Sequence, residues 1–248
     1  LPPSQVEQGI SLARLAAKEA IGLQWLEFST SKKEGNVMSE ILEQFEKMGV
    51  VPVVAIQDAQ DAMQLADTLI EGGLPCAEIT FRTAAAVDAM RIMAQRGDIL
   101  VGAGTVLKVD QVKAAVDVGA KFMVSPGFNP KVVGYCVENN ITVTPGISTP
   151  SDIEAALEFG LEVLKFFPAE AFGGLKTLKA MSGPYTTVKF IPTGGISPSN
   201  LLDYLAFAKV HACGGTWVAK SALISEGKFD EILRNAKEAV ALVEKGRQ

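Results

Sequence analysis

Ile141-Thr142-Val143-Thr144 is a short β-rich run, and Thr149-Pro150 sets a capping side chain before a proline. Gly160 then marks a stop, and Glu162-Val163-Leu164-Lys165-Phe166-Phe167 is a second β-rich run. Strand, capped helix, glycine and strand again make up the repeating unit of a parallel sheet with crossover helices. A threonine before the first turn accepts from one of its free N–H groups, and proline at the first helical position lacks only an N–H that had no partner there. Glycine ends the helix because it turns the chain back without a Cβ clash.

Outward from this stretch the unit recurs. The β-rich runs are Val51–Ile56, Cys76–Phe81, Ile99–Ala103, Lys121–Ser125, Ile141–Thr144, Glu162–Phe167, Val188–Ile191 and Val210–Cys213. Asn129-Pro130 and Ser197-Pro198 repeat the start signal, and Gly72, Gly119 and Gly183 the stop. Leu65, Ala66, Leu69 and Ile70 form the buried face of one helix; Ile232, Leu233, Ala236 and Val240 form that of the last. Ser39 is expected to cap a short opening helix, with Ile41, Leu42, Phe45 and Met48 on one face and Gly49 at its end. Eight such units in about 200 residues predict a single closed (β/α)8, or TIM, barrel with its helices outside. The competing reading is an open doubly wound sheet, but no GxGxxG turn opens a helix: Gly102-Ala103-Gly104-Thr105 lacks the third glycine.

Two domains are expected, residues 1–37 and 38–248. The first opens Leu1-Pro2-Pro3-Ser4, then places Leu12, Leu15, Ala16, Ala20, Leu23 and Leu26 mostly three or four apart, an amphipathic helix. Ser29–Asn36 reads as a linker, and Met38 as a natural start. This N-terminal helical extension reads either as appended sequence or as a helix that docks on a partner. Lys18 and Glu19 interrupt its apolar stretch, unlike a secretory signal.

Composition narrows the chemistry. With 48% apolar and 21% charged residues, the 248-residue chain carries enough apolar surface to offset its ordering entropy. Its net charge of −5 argues against general nucleic-acid binding, which needs basic surface. No apolar run approaches the roughly 20 residues that span a bilayer. Cys76, Cys136 and Cys213 form no CxxC pair and read as buried thiols in a reducing compartment, not as a disulfide framework or a structural zinc site. The single histidine, His211, reads as a packed or hydrogen-bonded strand residue. Catalysis therefore falls to Lys, Glu, Asp or Tyr.

In a barrel of this kind, reacting groups sit at the C-terminal ends of strands. In Val163–Pro168 a lysine interrupts five apolar residues, and alternation puts Val163, Lys165 and Phe167 on one face. A buried ammonium either pairs with a carboxylate or loses its proton, and a neutral lysine amine is suited to forming a Schiff base. Glu78, Thr80 and Arg82 likewise share a face of the second run. They read either as proton carrier and carboxylate clamp or as halves of buried ion pairs. Gly102 and Gly104 read as points of close backbone approach to a ligand, beside the Thr105 hydroxyl. Thr193-Gly194-Gly195 and Gly214-Gly215-Thr216 end the last two runs, where barrels of this kind bind phosphate through backbone N–H groups.

Six motifs carry a resemblance. They are Glu78-Ile79-Thr80-Phe81-Arg82-Thr83, Val101-Gly102-Ala103-Gly104-Thr105-Val106, Val124-Ser125-Pro126-Gly127, Pro145-Gly146-Ile147-Ser148-Thr149, Lys165-Phe166-Phe167-Pro168-Ala169-Glu170 and Pro192-Thr193-Gly194-Gly195-Ile196-Ser197. In this order, from about Ser39 onward, the chain resembles the 2-keto-3-deoxy-6-phosphogluconate (KDPG) and 4-hydroxy-2-oxoglutarate (KHG) aldolases. The resemblance implies a cytoplasmic homotrimeric class I lyase of the Entner–Doudoroff pathway, with a small-molecule substrate and without cofactor, metal, nucleic-acid or membrane partner. Such an enzyme cleaves KDPG to pyruvate and glyceraldehyde 3-phosphate. It further implies Lys165 as the Schiff-base lysine and Glu78 as the general acid/base working through a water. Arg82, Thr105 and Thr193 would surround the pyruvyl carboxylate, Pro126 and Phe167 would wall the pocket, and Gly194, Gly195, Gly215 and Thr216 would hold the phosphate. Thr216 stands where the family often has serine; it keeps the hydroxyl and adds a methyl. A sibling aldolase acting on KHG alone or on phosphogalactonate, and a barrel scaffold whose first helix mediates assembly, are the competing readings.

Overall fold

The computed structural model describes residues 37–246. The helix expected within residues 1–37 and the linker after it lie outside the described residues, apart from Val37 itself.

The opening helix, α1 (Val37–Met48), is followed by β1 (Val50–Val54), α2 (Ala62–Glu71), β2 (Cys76–Thr80), α3 (Ala86–Ala94), β3 (Leu100–Gly104) and α4 (Val109–Asp117). Then come β4 (Phe122–Val124), α5 (Pro130–Glu138), β5 (Thr142–Thr144), β6 (Gly146–Ile147), α6 (Pro150–Leu157) and β7 (Val163–Phe166). The last are α7 (Gly174–Met181), β8 (Lys189–Pro192), α8 (Leu201–Leu205), β9 (Cys213–Gly215), α9 (Ser221–Ser225) and α10 (Phe229–Gly246). Every strand pair is parallel. One sheet runs β5-β4-β3-β2-β1-β9 and the other β6-β7-β8. Strands β5 and β6 are one barrel strand interrupted at Pro145, whose carbonyl accepts from the Lys165 N–H. The bridges Phe190↔Val210 and Thr193↔Gly214 join β8 to β9. The eight-stranded sheet is therefore closed, as expected from the eight runs.

Helix α1 plugs the N-terminal end of this barrel. Ile41 and Phe45 pack among Val51, Cys76, Phe122, Val124, Ile191 and Ala212, and the Phe45 and Phe122 rings meet edge to face, 4.8 Å apart. His211 fastens the plug: buried, its Nε2 lies 2.8 Å from the Leu42 carbonyl. This agrees with the hydrogen-bonded imidazole expected, although His211 lies just outside the strand. All three cysteines are buried, and none forms a disulfide.

Local signals held where the side chain could reach its partner. Asn129 accepts from the Lys131 N–H and Thr149 from that of Asp152, each before a proline. Four expectations need correction. Helix α1 is already under way at Ser39, so Ser39 is not its cap. Ser197-Pro198 opens a turn instead of a helix: the Asn200 side chain accepts from the Ser197 N–H, and α8 begins at Leu201. Gly72 caps α2 as expected, with left-handed Gly73 (φ 81°) after it, but α7 ends at Met181 and is capped by Ser182, not by Gly183. The last strand lies at Cys213–Gly215, not Val210–Cys213. Backbone pairing to β1 selects the glycines there, because Gly214 has no Cβ to strike the Thr193 side chain. Among the described residues no helix is long and apolar enough to cross a membrane.

Candidate active site

Above the apolar plug, the barrel interior turns polar. Glu78 on β2, Thr144 on β5, Lys165 on β7 and Thr193 after β8 line one chamber, floored by Phe45, Phe122 and Ile191. Lys165 is 6% exposed and Glu78 4% exposed. Lys165 Nζ lies 3.4 Å from Glu78 Oε1 and 5.3 Å from the centre of the Phe167 ring. Taking both charges out of water costs several kcal/mol per ion in effect, and apolar residues of similar volume would generally be as stable. The chamber floor beneath the pair is apolar, so stability gives little reason to keep it there. Chemically it is an amine beside a proton acceptor.

The two readings left open for Lys165, ion pair or reactive amine, thus meet in one arrangement. For Arg82 the alternatives separate. Thr80 donates to the Val54 carbonyl at 2.8 Å, and Arg82 Nε donates to the Thr80 hydroxyl at 3.0 Å. Among the described residues no carboxylate forms an ion pair with Arg82, so its outer guanidinium nitrogens remain available to an anion. Thr80 is the orienting residue the sequence reading noted on the right face but gave no role.

The remaining candidates converge on the same rim. Arg82, Thr105, Pro126 and Phe167 each follow the C-terminal end of a strand, respectively β2, β3, β4 and β7. Thr105 has φ 55°, an uncommon conformation for a β-branched residue and one that costs free energy. The Pro126 carbonyl occupies the space a side chain at position 146 would need, so Gly146 lets strands four and five approach there. Gly194 (φ 95°) and Gly195 (φ 83°) turn the chain left-handed at the end of β8. The Thr193↔Gly214 bridge lays this turn beside Gly215-Thr216.

The glycines of β3 need a different account from the one expected. A Cβ on Gly102 would enter the Phe122 ring, and one on Gly104 would strike the Glu78 carboxylate. They make room for the core and for the glutamate. Sequence reasoning passed over Thr144, which lines the chamber, and Glu170, which packs behind Gly195. Thr144 had a signal, a hydroxyl at the end of a β-rich run. Glu170 had none, since an acidic residue after a strand reads as solvent-facing.

The model of the "KDPG and KHG aldolase" family matches residues 41–235. The chain belongs to the KDPG and KHG aldolase family. A relative from Haemophilus influenzae, 2-dehydro-3-deoxy-phosphogluconate aldolase, is 47% identical over 205 residues, covering 82% of this chain and 97% of its own. The KDPG aldolase of Zymomonas mobilis, solved with 3-phosphoglycerate, superposes with a TM-score of 0.76 at 37% identity, covering 81% of this chain and 95% of its own. That of Legionella pneumophila, solved with pyruvate captured as a covalent carbinolamine, also gives 0.76, at 35% identity over 78% of this chain and 95% of its own. In this member of the KDPG and KHG aldolase family, a buried amine lies 3.4 Å from a buried carboxylate, and the Arg82 guanidinium follows the end of the same strand as that carboxylate.

Proposed function

We propose that this chain is a class I aldolase cleaving 2-keto-3-deoxy-6-phosphogluconate to pyruvate and glyceraldehyde 3-phosphate in the Entner–Doudoroff pathway. The observation that carries the reading is the buried Lys165 amine, 3.4 Å from the buried Glu78 carboxylate inside the barrel.

Lys165 Nζ, its proton passed to Glu78, attacks the C2 keto carbon to give a carbinolamine. Glu78 returns that proton to the carbinolamine hydroxyl, which leaves as water, and the resulting iminium withdraws the C3–C4 bonding electrons. Glu78, acting through a water, takes the C4 hydroxyl proton as that bond breaks and glyceraldehyde 3-phosphate departs. The enamine left on Lys165 is protonated at C3, and hydrolysis releases pyruvate and restores the amine. Arg82, held by Thr80, clamps the substrate carboxylate, with the Thr105 and Thr193 hydroxyls beside it. Pro126 and Phe167 wall the pocket. Gly194, Gly195, Gly215 and Thr216 hold the phosphate at the adjoining ends of β8 and β9, where a barrel of this kind offers backbone N–H groups to an anion. The enzyme acts in the cytoplasm as a homotrimer, and residues 38–248 make up its catalytic domain.

Steady-state cleavage of KDPG and KHG tests the reading. KDPG is the better substrate, and Glu78→Gln slows both by about 10²–10⁴-fold. A Glu78→Gln enzyme with unimpaired turnover removes that residue from the mechanism, and a preference for KHG reassigns the substrate.

A further inference from the structure

Behind the Gly194–Gly195 turn lies an arrangement that the reaction steps leave unused. The segment after β7 is laced to the end of β8 by two backbone bonds, from Ala169 N–H to the Thr193 carbonyl (2.8 Å) and from Glu170 N–H to the Gly194 carbonyl (3.0 Å). The Glu170 stem then crosses the face of Gly195, occupying the space of a Cβ there. Its carboxylate accepts a hydrogen bond from the hydroxyl of Tyr204, a side chain on α8 that is 1% exposed. Gly174, at the start of α7 with φ 59°, leaves the space in which that pair meets.

The exposed Glu170 carboxylate would repel a phosphate received at this turn, so what it offers the site is its stem and its anchoring, not its charge. Here the backbone fixes one end of Glu170 and a buried phenol fixes the other, so the stem becomes a strut against Gly195. Burial, and then the Glu170 carboxylate, push the Tyr204 hydroxyl above its usual ionisation range, so it remains a donor throughout the neutral and mildly alkaline range.

We propose that Glu170 and Tyr204 are positioning residues that hold the Gly194–Gly195 turn in the shape that receives the substrate phosphate. The proposal rests on placing the phosphate at that turn. It makes the Glu170–Tyr204 pair a determinant of preference for phosphorylated over unphosphorylated substrate, without contact to the reacting carbons.

The test compares Glu170→Ala, Tyr204→Phe and the double variant on KDPG and on unphosphorylated KHG, with circular dichroism to verify folding. The expected result is a rise of about tenfold in KM for KDPG, kcat being kept. With KHG, kcat/KM stays within about twofold of the parent. The double variant is no worse than the worse single one, since both act through one bond. Glu170→Gln, which keeps an acceptor oxygen, recovers most of the loss. An equal decline with both substrates, or no change with either, overturns the proposal. Gly195→Ala separates its failure from that of the phosphate placement. If Gly195→Ala impairs KDPG selectively while the Glu170 and Tyr204 variants do not, the strut is wrong and the phosphate placement stands. If Gly195→Ala affects both substrates alike, the placement itself falls, and the strut with it.

Discussion

Gly104 fixes the geometry of the reacting pair from the neighbouring strand. It pairs with Thr80 in register, and a methyl at its Cα would collide with the Glu78 carboxylate. Gly104→Ala should therefore push Glu78 away from Lys165 while leaving both side chains chemically intact. Displacements near 1 Å at a reacting group cost on the order of 10²-fold, and we expect a loss of that size in kcat. Unchanged kcat in a folded Gly104→Ala enzyme would mean that the Glu78 position is not critical. At this scale the sequence was informative about polar residues and misleading about glycines. Lys165 and Glu78 were legible because a charge within an apolar strand has few explanations. Gly102 and Gly104 were not, because the atoms that need their missing side chains belong to other strands.

Among elements, helix starts were readable where the cap is local. Thr149 accepts from the Asp152 N–H, and the Asp152 side chain accepts in return from the N–H groups of Ser148 and Thr149. Thr149→Ala should cost about 1 kcal/mol of stability, measured by urea unfolding, with kcat unaltered because α6 lies outside the barrel. A much larger loss, or a fall in kcat, would show that this cap also positions the active-site rim. The same signal failed at Ser197-Pro198, where Asn200 captures the Ser197 N–H and postpones the helix to Leu201. The displaced last strand has a tertiary cause. Cys213-Gly214-Gly215 has poor strand propensity, yet it pairs with Val50-Val51-Pro52, and only a glycine at 214 admits Thr193. Propensity alone favoured the more apolar residues just before it.

For the whole molecule, barrel closure was legible as a count of eight runs, but its sealing by α1 was not. A single apolar face on a short helix does not disclose that Phe45 enters the barrel end to meet Phe122. The sealed interior also sets an alkaline limit on stability. Burial, and secondarily Glu78, raises the Cys76 thiol well above its ordinary value of 9.0, and burial raises Cys136 likewise. Above pH 9 the unfolded chain releases these protons while the folded chain keeps them, so the folded state binds more protons. Their contribution is complete below pH 9 and is lost as pH rises toward the folded values. Urea midpoints should fall between pH 8 and pH 10.5, and a Cys76→Ala, Cys136→Ala double variant should show a shallower fall. An identical slope in the variant would assign the alkaline loss to other groups.

Borohydride reduction in the presence of pyruvate, followed by peptide mass mapping, tests the central claim most directly. The expected product is a single pyruvyl adduct, reduced to a stable secondary amine, on the peptide bearing Lys165. An enzyme that still cleaves its substrate while Lys165 is recovered unmodified would contradict the account.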